Sequence, residues 1–331
     1  MAQDDWVRVA LHRIPRALRR GRYASMRQLE MKISEAGPGD QRANPIHLRE
    51  ALNALVENGD VRPDHPPSPR GVTLPTFYMP RDFSGDRAED VARRADVLAL
   101  YGDFLRAARQ DGGKTLERAV YKAALGARRA GHYLHVLGSP DRPPDAGVVL
   151  NDVPIGEALD LILVSADGLC AVEDKNLREW LTPSSSEVWA LIGKALRHDG
   201  LPVMICRKVT WDVFLLFKQV GGLAFPVHTQ MFPADYAARL ARAKHRHGLG
   251  FHDLRFGDDP PSDLVRFLER TVPRNLADKL ALFRANADLL RQYAIDAELE
   301  SDELRGDVRA RLYREFFREM KGWDADVPPG E

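Results

Sequence analysis

The chain has 331 residues, 44% of them hydrophobic, enough to bury two or three cores, and its 48 basic and 48 acidic side chains cancel, so any surface for a polyanion has to be local. Only two cysteines occur, Cys170 and Cys206, each inside an apolar run, which excludes a disulfide framework and fits a reducing compartment. The opening MAQDDWVRV carries acids where a secretion signal carries positive charge, and no apolar run approaches the roughly 18 residues that span a bilayer, so a cytoplasmic protein with no membrane partner is expected.

At the amino end, Trp6, Val9, Ala10, Leu11, Ile14 and Leu18 recur at helical spacing, with Pro15 placed to bend or divide the helix. Ser25 is an N-cap residue for a second helix through Met26, Leu29, Met31 and Ile33. Gly37 to Asn44 reads as a loop. Pro45 opens a third helix carrying Leu48, Leu52, Leu55 and Val56, which stops at Asn58-Gly59. Asp60-Val61-Arg62 and the run GVTLPTFYM then predict two short strands joined by a proline-rich loop. Three helices followed by strand, loop and strand resemble the winged helix-turn-helix family, which implies a first domain over residues 4–80.

A linker and a long helix, Ala88 to Gln110, fill 81–112, the helix ending at Asp111-Gly112-Gly113. A helix from Lys114 to about Ala130 follows. Strands are expected at Tyr133 to Leu137, Gly147 to Leu150, Ala158 to Val164 and Leu169 to Lys175, then a helix at Ser186 to His198 and an apolar strand at Leu201 to Arg207. Trp211 to Val220 predicts a further helix and Leu223 to Val227 a last strand. This alternation specifies an α/β domain over 113–232, one mixed sheet between helices. From Pro233 on, segments near Ala234 to His245, Ser262 to Arg270, Leu276 to Glu298 and Asp302 to Met320 predict a helical carboxy-terminal region over 233–331. Its apolar stripes, among them Leu280, Phe283 and Leu290 and then Leu312, Tyr313, Phe316 and Phe317, call for a partner surface, either the α/β core or a second copy of the chain.

The segment EALDLILVSADGLCAVEDKNLREW concentrates the chemistry. Asp160 interrupts an apolar strand, and a buried carboxylate costs several kcal/mol unless a cation or hydrogen bonds compensate it. After a turn at Asp167-Gly168, the returning strand ends Glu173-Asp174-Lys175. With a period of two, Glu173 and Lys175 share a face and Asp174 points away. Two carboxylates suit a hard divalent cation that also binds phosphate oxygens, so Asp160 and Glu173 are candidate ligands for Mg²⁺ or Mn²⁺, with the Asp174 carbonyl a third. Lys175 is placed to orient or deprotonate an attacking water and to offset charge in the transition state.

An Asp on one strand with Glu-x-Lys on the next resembles the PD-(D/E)XK superfamily of restriction-endonuclease-like nucleases. No proline precedes Asp160; Ala158-Leu159 stands there instead. The resemblance covers about Lys114 to Gln230 and implies metal-dependent cleavage of phosphodiester bonds, with Glu117, on the helix before the first strand, joining the site. It also implies an endonuclease acting on DNA, in restriction, defence or repair, and working as a homodimer to cut both strands. Two other classes compete: a non-catalytic DNA-binding regulator, and a scaffold subunit of a defence complex that grips partner proteins through the winged helix or the carboxy-terminal helices.

Around this motif, Asn176, Arg178 and Lys194 are candidate contacts to a nucleic-acid backbone. Near the amino terminus, Arg8, Arg13, Arg16, Arg19, Arg20 and Arg22 form a patch without an acid, of which Arg16, Arg19 and Arg20 are candidate phosphate contacts, while Arg49 on the third helix faces a groove. The histidines at 132, 135, 245 and 247 lack a ligand frame, and no zinc is assigned.

Overall fold

The computed structural model of the chain describes residues 3–35, 43–68, 72–138, 140, 149–150, 153–154, 159–299 and 315–316. Outside them lie most of the loop expected at Gly37 to Asn44, Gly147 at the head of a strand candidate, Ala158, and the helix expected at Asp302 to Met320 except for Glu315 and Phe316. None of the described helices is long and apolar enough to cross a membrane.

The chain folds into two compact units, Met1–Gly113 with Thr229–Gly257, and Lys114–His228 with Asp258–Glu331. The first opens with α1 (Gln3–Gly21), which contains Pro15 without being divided by it and buries Ala10, Ile14 and Leu18 along one face. After β1 (Ala24–Ser25), α2 (Met26–Ile33) starts from a capping box in which the Ser25 hydroxyl accepts from the Gln28 amide and the Gln28 side chain accepts from the Ser25 amide. Next come α3 (Pro45–Glu57), β2 (Val61–Asp64) and β3 (Phe77–Pro80). The three strands form an antiparallel sheet in the order β1-β3-β2, with Val61 opposite Pro80 and Ala24 opposite Tyr78. Leu29, Ile33, Leu48 and Leu52 fill the space between these helices. In α4 (Ala88–Ala107), Tyr101 and Phe104 seed a second, aromatic cluster.

The stop expected at Asp111-Gly112-Gly113 does not form. Ala108–Gly112 makes a π-helical turn, and Gly113 itself has right-handed helical angles, so its conformational freedom goes unused. Helical residues resume in α5 (Gly113–Arg129), after which the second unit lays down β4 (His135–Leu137), the ribbon of β5 (Val149–Leu150) and β6 (Val153–Pro154), β7 (Leu161–Ser165) and β8 (Gly168–Lys175). Then follow α6 (Ser186–Arg197), β9 (Leu201–Cys206), α7 (Trp211–Val220) and β10 (Leu223–Pro226). The five-stranded sheet runs β10-β9-β8-β7-β4. β4, β7 and β8 pair antiparallel; β9 lies parallel to β8, and β10 parallel to β9. The fold class is therefore mixed α/β. β8 is central and buried from Leu169 to Asp174, which explains the unbroken apolar run that leads into its charged end.

Residues 233–331 do not form one helical region. β11 (Gln230–Phe232) and β12 (Leu254–Phe256) make a parallel pair flanking α8 (Ala237–Lys244), and this segment belongs to the first unit. The reason is apolar: Phe232, Leu240, Phe251 and Leu254 complete the cluster begun by Tyr101 and Phe104, with Phe104 and Phe251 ring centroids 4.9 Å apart. The second unit resumes with α9 (Ser262–Arg266), a π-helical turn at Phe267–Thr271, α10 (Val272–Ala285) and α11 (Ala287–Leu299). Phe283, Leu290, Tyr293 and Phe316 enter the core built on Trp189, Ile192, Met204 and Leu216, so much of the carboxy-terminal apolar stripe is covered within its own unit.

Candidate active site

The antiparallel pairing of β7 and β8 sets Leu161 opposite Val172, and one rung further brings Asp160 alongside Glu173. Asp160 is not inside the strand, as its apolar surroundings in sequence suggest, but at a bend immediately before it. Its carboxylate is held there by the strand it faces: the Asp174 amide donates to Asp160 Oδ2 at 2.8 Å. The Arg207 amide donates to the Lys175 carbonyl on the β9 side, so the intervening Asp174 turns its N–H and C=O toward the β7 side, where Asp160 stands. A second neighbour fixes the backbone. Gly138, just beyond β4 with φ of 103°, lies so close that a Cβ would fall 2.7 Å from the Asp160 carbonyl oxygen.

Glu173 and Lys175 project together, as the two-residue period requires. Lys175 Nζ lies 2.5 Å from Glu173 Oε1 and 3.8 Å from Asp160 Oδ2. The other Glu173 oxygen accepts from Lys194 Nζ of α6 at 2.9 Å. Three of the predicted side chains thus converge on one spot at the carboxyl end of β8, joined by Lys194, which reaches inward to a carboxylate instead of standing ready for an external phosphate.

Burial lifts the Asp160 carboxyl above its ordinary range and the nearby Glu173 charge adds to this, against the pull of Lys175, the Asp174 amide and Lys194. Glu117 on α5 is likewise raised, first by burial and then by Asp160, which places it within electrostatic reach of the cluster. The Asp174 carboxyl is pushed well above the usual range by burial and by Asp160 and Glu117. Burial works against the Lys175 ammonium, but the charges of Asp160 and Glu173 and the hydrogen bond to Glu173 outweigh it and its pKa rises. Without a cation bound, the two carboxylates thus favour the ammonium form of Lys175, which suits charge stabilisation.

These carboxylates disfavour one another's charge, a surplus that a hard cation would relieve, and Asp160 and Glu173 supply oxygen donors of the kind Mg²⁺ or Mn²⁺ accepts. Among the described residues no group of three or more His, Cys, Asp or Glu side chains is assembled to hold a metal ion. A hydrated cation on two carboxylates and a carbonyl needs fewer side chains than that.

Two predicted contacts lie elsewhere than expected. Asn176 and Arg178 are buried, with Arg178 at 5% exposure, so neither is presented to a nucleic-acid backbone. The cause is a long-range one: Leu181 bridges to Val209, its amide donates to the Lys208 carbonyl, and Arg207 Nη2 donates to the Arg178 carbonyl at 2.8 Å, drawing the whole segment inward. Arg16, Arg19 and Arg20 on α1 and Arg49 on α3 are exposed, in the first unit. Sequence reasoning missed Gly138, whose only signal was a glycine at a strand end. No family model matches this chain, and no curated protein and no solved structure is significantly similar to it.

Proposed function

We propose that the chain is a metal-dependent endonuclease that hydrolyses phosphodiester bonds of DNA, with a restriction-endonuclease-like second unit and a winged-helix first unit. One observation carries this reading: Asp160, at the bend before β7, and Glu173 and Lys175, both at the end of β8, converge within 3.8 Å of the Lys175 nitrogen. The helix, antiparallel three-strand meander, helix and parallel strand around them support it, as does Glu117 on the preceding helix.

Asp160 and Glu173 would hold Mg²⁺ or Mn²⁺, which when bound neutralises charge building on the scissile phosphate. Lys175 positions the attacking water and offsets the negative charge of the phosphorane-like transition state. Lys194 keeps the Glu173 carboxylate in place. The Asp174 amide fixes Asp160 before substrate arrives, so no reorganisation is needed at the moment of reaction. Cutting both strands of a duplex at once takes two such sites, which makes a homodimer the working form.

A second reading, a non-catalytic DNA-binding regulator or scaffold, draws on one specific contact set: both Glu173 oxygens already meet a lysine, so the cluster partly compensates itself. Incubating the purified chain with duplex DNA, single-stranded DNA or RNA, in Mg²⁺, Mn²⁺ or EDTA, separates the two. The nuclease reading expects metal-dependent cleavage of DNA that falls about 10²–10³-fold in Asp160→Ala and in Lys175→Ala while DNA binding persists. Equal cleavage by wild type and both variants, or none by any, sinks it.

A further inference from the structure

Within the first unit, α1, the end of α2, and the segment after α8 border a half-open cavity of about 1480 Å³ whose α1 side is solvent-exposed. From α1 come Arg8, His12, Arg16 and Arg20, four residues apart and therefore stacked one per turn on a single face. The other walls bring Lys32, Arg93, Lys244 and Arg246. No aspartate or glutamate is among the described residues that line it. At its edge two lining arginines meet carboxylates, Arg22 with Asp90 at 2.8 Å and Arg93 with Asp96 at 3.7 Å, and outside it Arg94 meets Asp64 at 2.8 Å and Arg242 meets Asp96 at 2.6 Å. The one-sidedness of the cavity is thus a local property of a chain whose total charge is zero.

The walls are built, not merely charged. Arg13 donates to the Lys32 and Ile33 carbonyls, and Arg93 donates to those of Gly21, His247 and Gly248, so both guanidiniums tie lining segments together. Between the cations lie Val9, Ala17, Met31 and Ile33, an apolar component that bare phosphate recognition does not require. Burial first, then the neighbouring Arg93 and Arg246, bring the Lys32 amine down to about 8.

We infer that this cavity is a binding site for a nucleotide-like ligand, several phosphates carried on a planar or apolar body, distinct from the Asp160 cluster in the other unit. The volume exceeds the roughly 300–1,000 Å³ of ordinary small-molecule pockets, leaving room for a nucleoside triphosphate or a dinucleotide. The apolar lining between the cations has no use in a phosphate track, which favours the small ligand over a duplex. Arg16 and Arg20 take the phosphates together with Lys32, and Val9, Met31 and Ile33 contact the body.

The test is equilibrium binding to the full chain in EDTA, so the outcome does not depend on cleavage and is separable from the fate of the nuclease reading. The probes are ATP, inorganic tripolyphosphate and a short duplex. Saturable binding of ATP, tighter than tripolyphosphate and weakened about tenfold or more in Arg16→Ala/Arg20→Ala and again in Lys32→Met, is the expected result. Thermal melting of each variant without ligand identifies any that fail to fold, and the remaining variant decides. The inference is overturned if ATP does not bind saturably, if the folded variants bind it as well as wild type, if tripolyphosphate matches it, or if the duplex displaces it and shows the same losses at higher affinity.

Discussion

The half-buried carboxylate of Asp160 is set beside Glu173, with the Lys175 ammonium 3.8 Å away. Its folded-state pKa is raised, so ionising it works against the fold: the stability is full below the ordinary carboxylate pKa and is lost as pH rises through the folded value. Asp160→Asn keeps an acceptor for the Asp174 amide and removes the charge. In EDTA it should melt above wild type at pH 7.5, the gap closing as the pH approaches 4, and in Mg²⁺ it should no longer cleave. A variant that melts lower at neutral pH would mean the charge is compensated in the fold. At this scale the sequence is partly legible. The shared face of Glu173 and Lys175 follows from strand alternation alone. Asp160 joining them depends on the β7–β8 register, and Lys194 reaching Glu173 depends on how α6 lies on β8, neither of which is encoded nearby. Arg178 shows the reverse case, a charged residue after the motif that looks exposed until Leu181 pairs with Val209.

Helices and strands with local signals are the ones sequence reasoning places best. Trp211–Val220 emerges with the expected bounds, and α2 starts at Ser25 because both halves of its capping box lie within four residues. Where packing decides, local signals mislead: Gly112-Gly113 stays helical, and the helix expected from Leu276 to Glu298 divides at Asn286, whose side chain donates to the Leu282 carbonyl at 2.8 Å. The join between α1 and α4 rests on Arg22, a non-glycine residue at φ of 61°, whose Nε and Nη2 donate to the two oxygens of Asp90 at 2.8 and 2.9 Å. Asp90 is 1% exposed, and the Arg22 hydrogen bond leads the effects that hold its carboxyl down near 2. Arg22→Ala strands that carboxylate, so a loss of about 3 kcal/mol is expected by denaturant unfolding. Because the Asp90 pKa is depressed, this contribution is present above the ordinary carboxylate pKa and fades as pH falls toward 2; a wild-type-like midpoint at pH 7 would show the pair to be dispensable.

At the scale of the molecule, the two units carry different cores: the first an aliphatic cluster around Leu29 and Leu48 and an aromatic one around Phe104 and Phe251, the second a core around Ile192, Met204 and Leu216. Length and composition foretell more than one core, but not that the first is completed by Thr229–Gly257, because partnership between Phe104 and Phe251 leaves no trace in periodicity. Leu216→Ala opens a hole in the second unit's core alone and should cost about 2–5 kcal/mol. Calorimetry should resolve this as a downward shift of one transition while another stays in place; a single transition moving as a whole would mean the cores melt as one.

The return of Thr229–Gly257 to the first unit also has a consequence for synthesis. Tyr101 and Phe104 leave the ribosome long before Phe232 and Phe251, their ring partners, are translated. At usual elongation rates that delay is on the order of ten seconds, during which the nascent amino-terminal segment carries bare aromatic side chains and is a natural client for a holding chaperone.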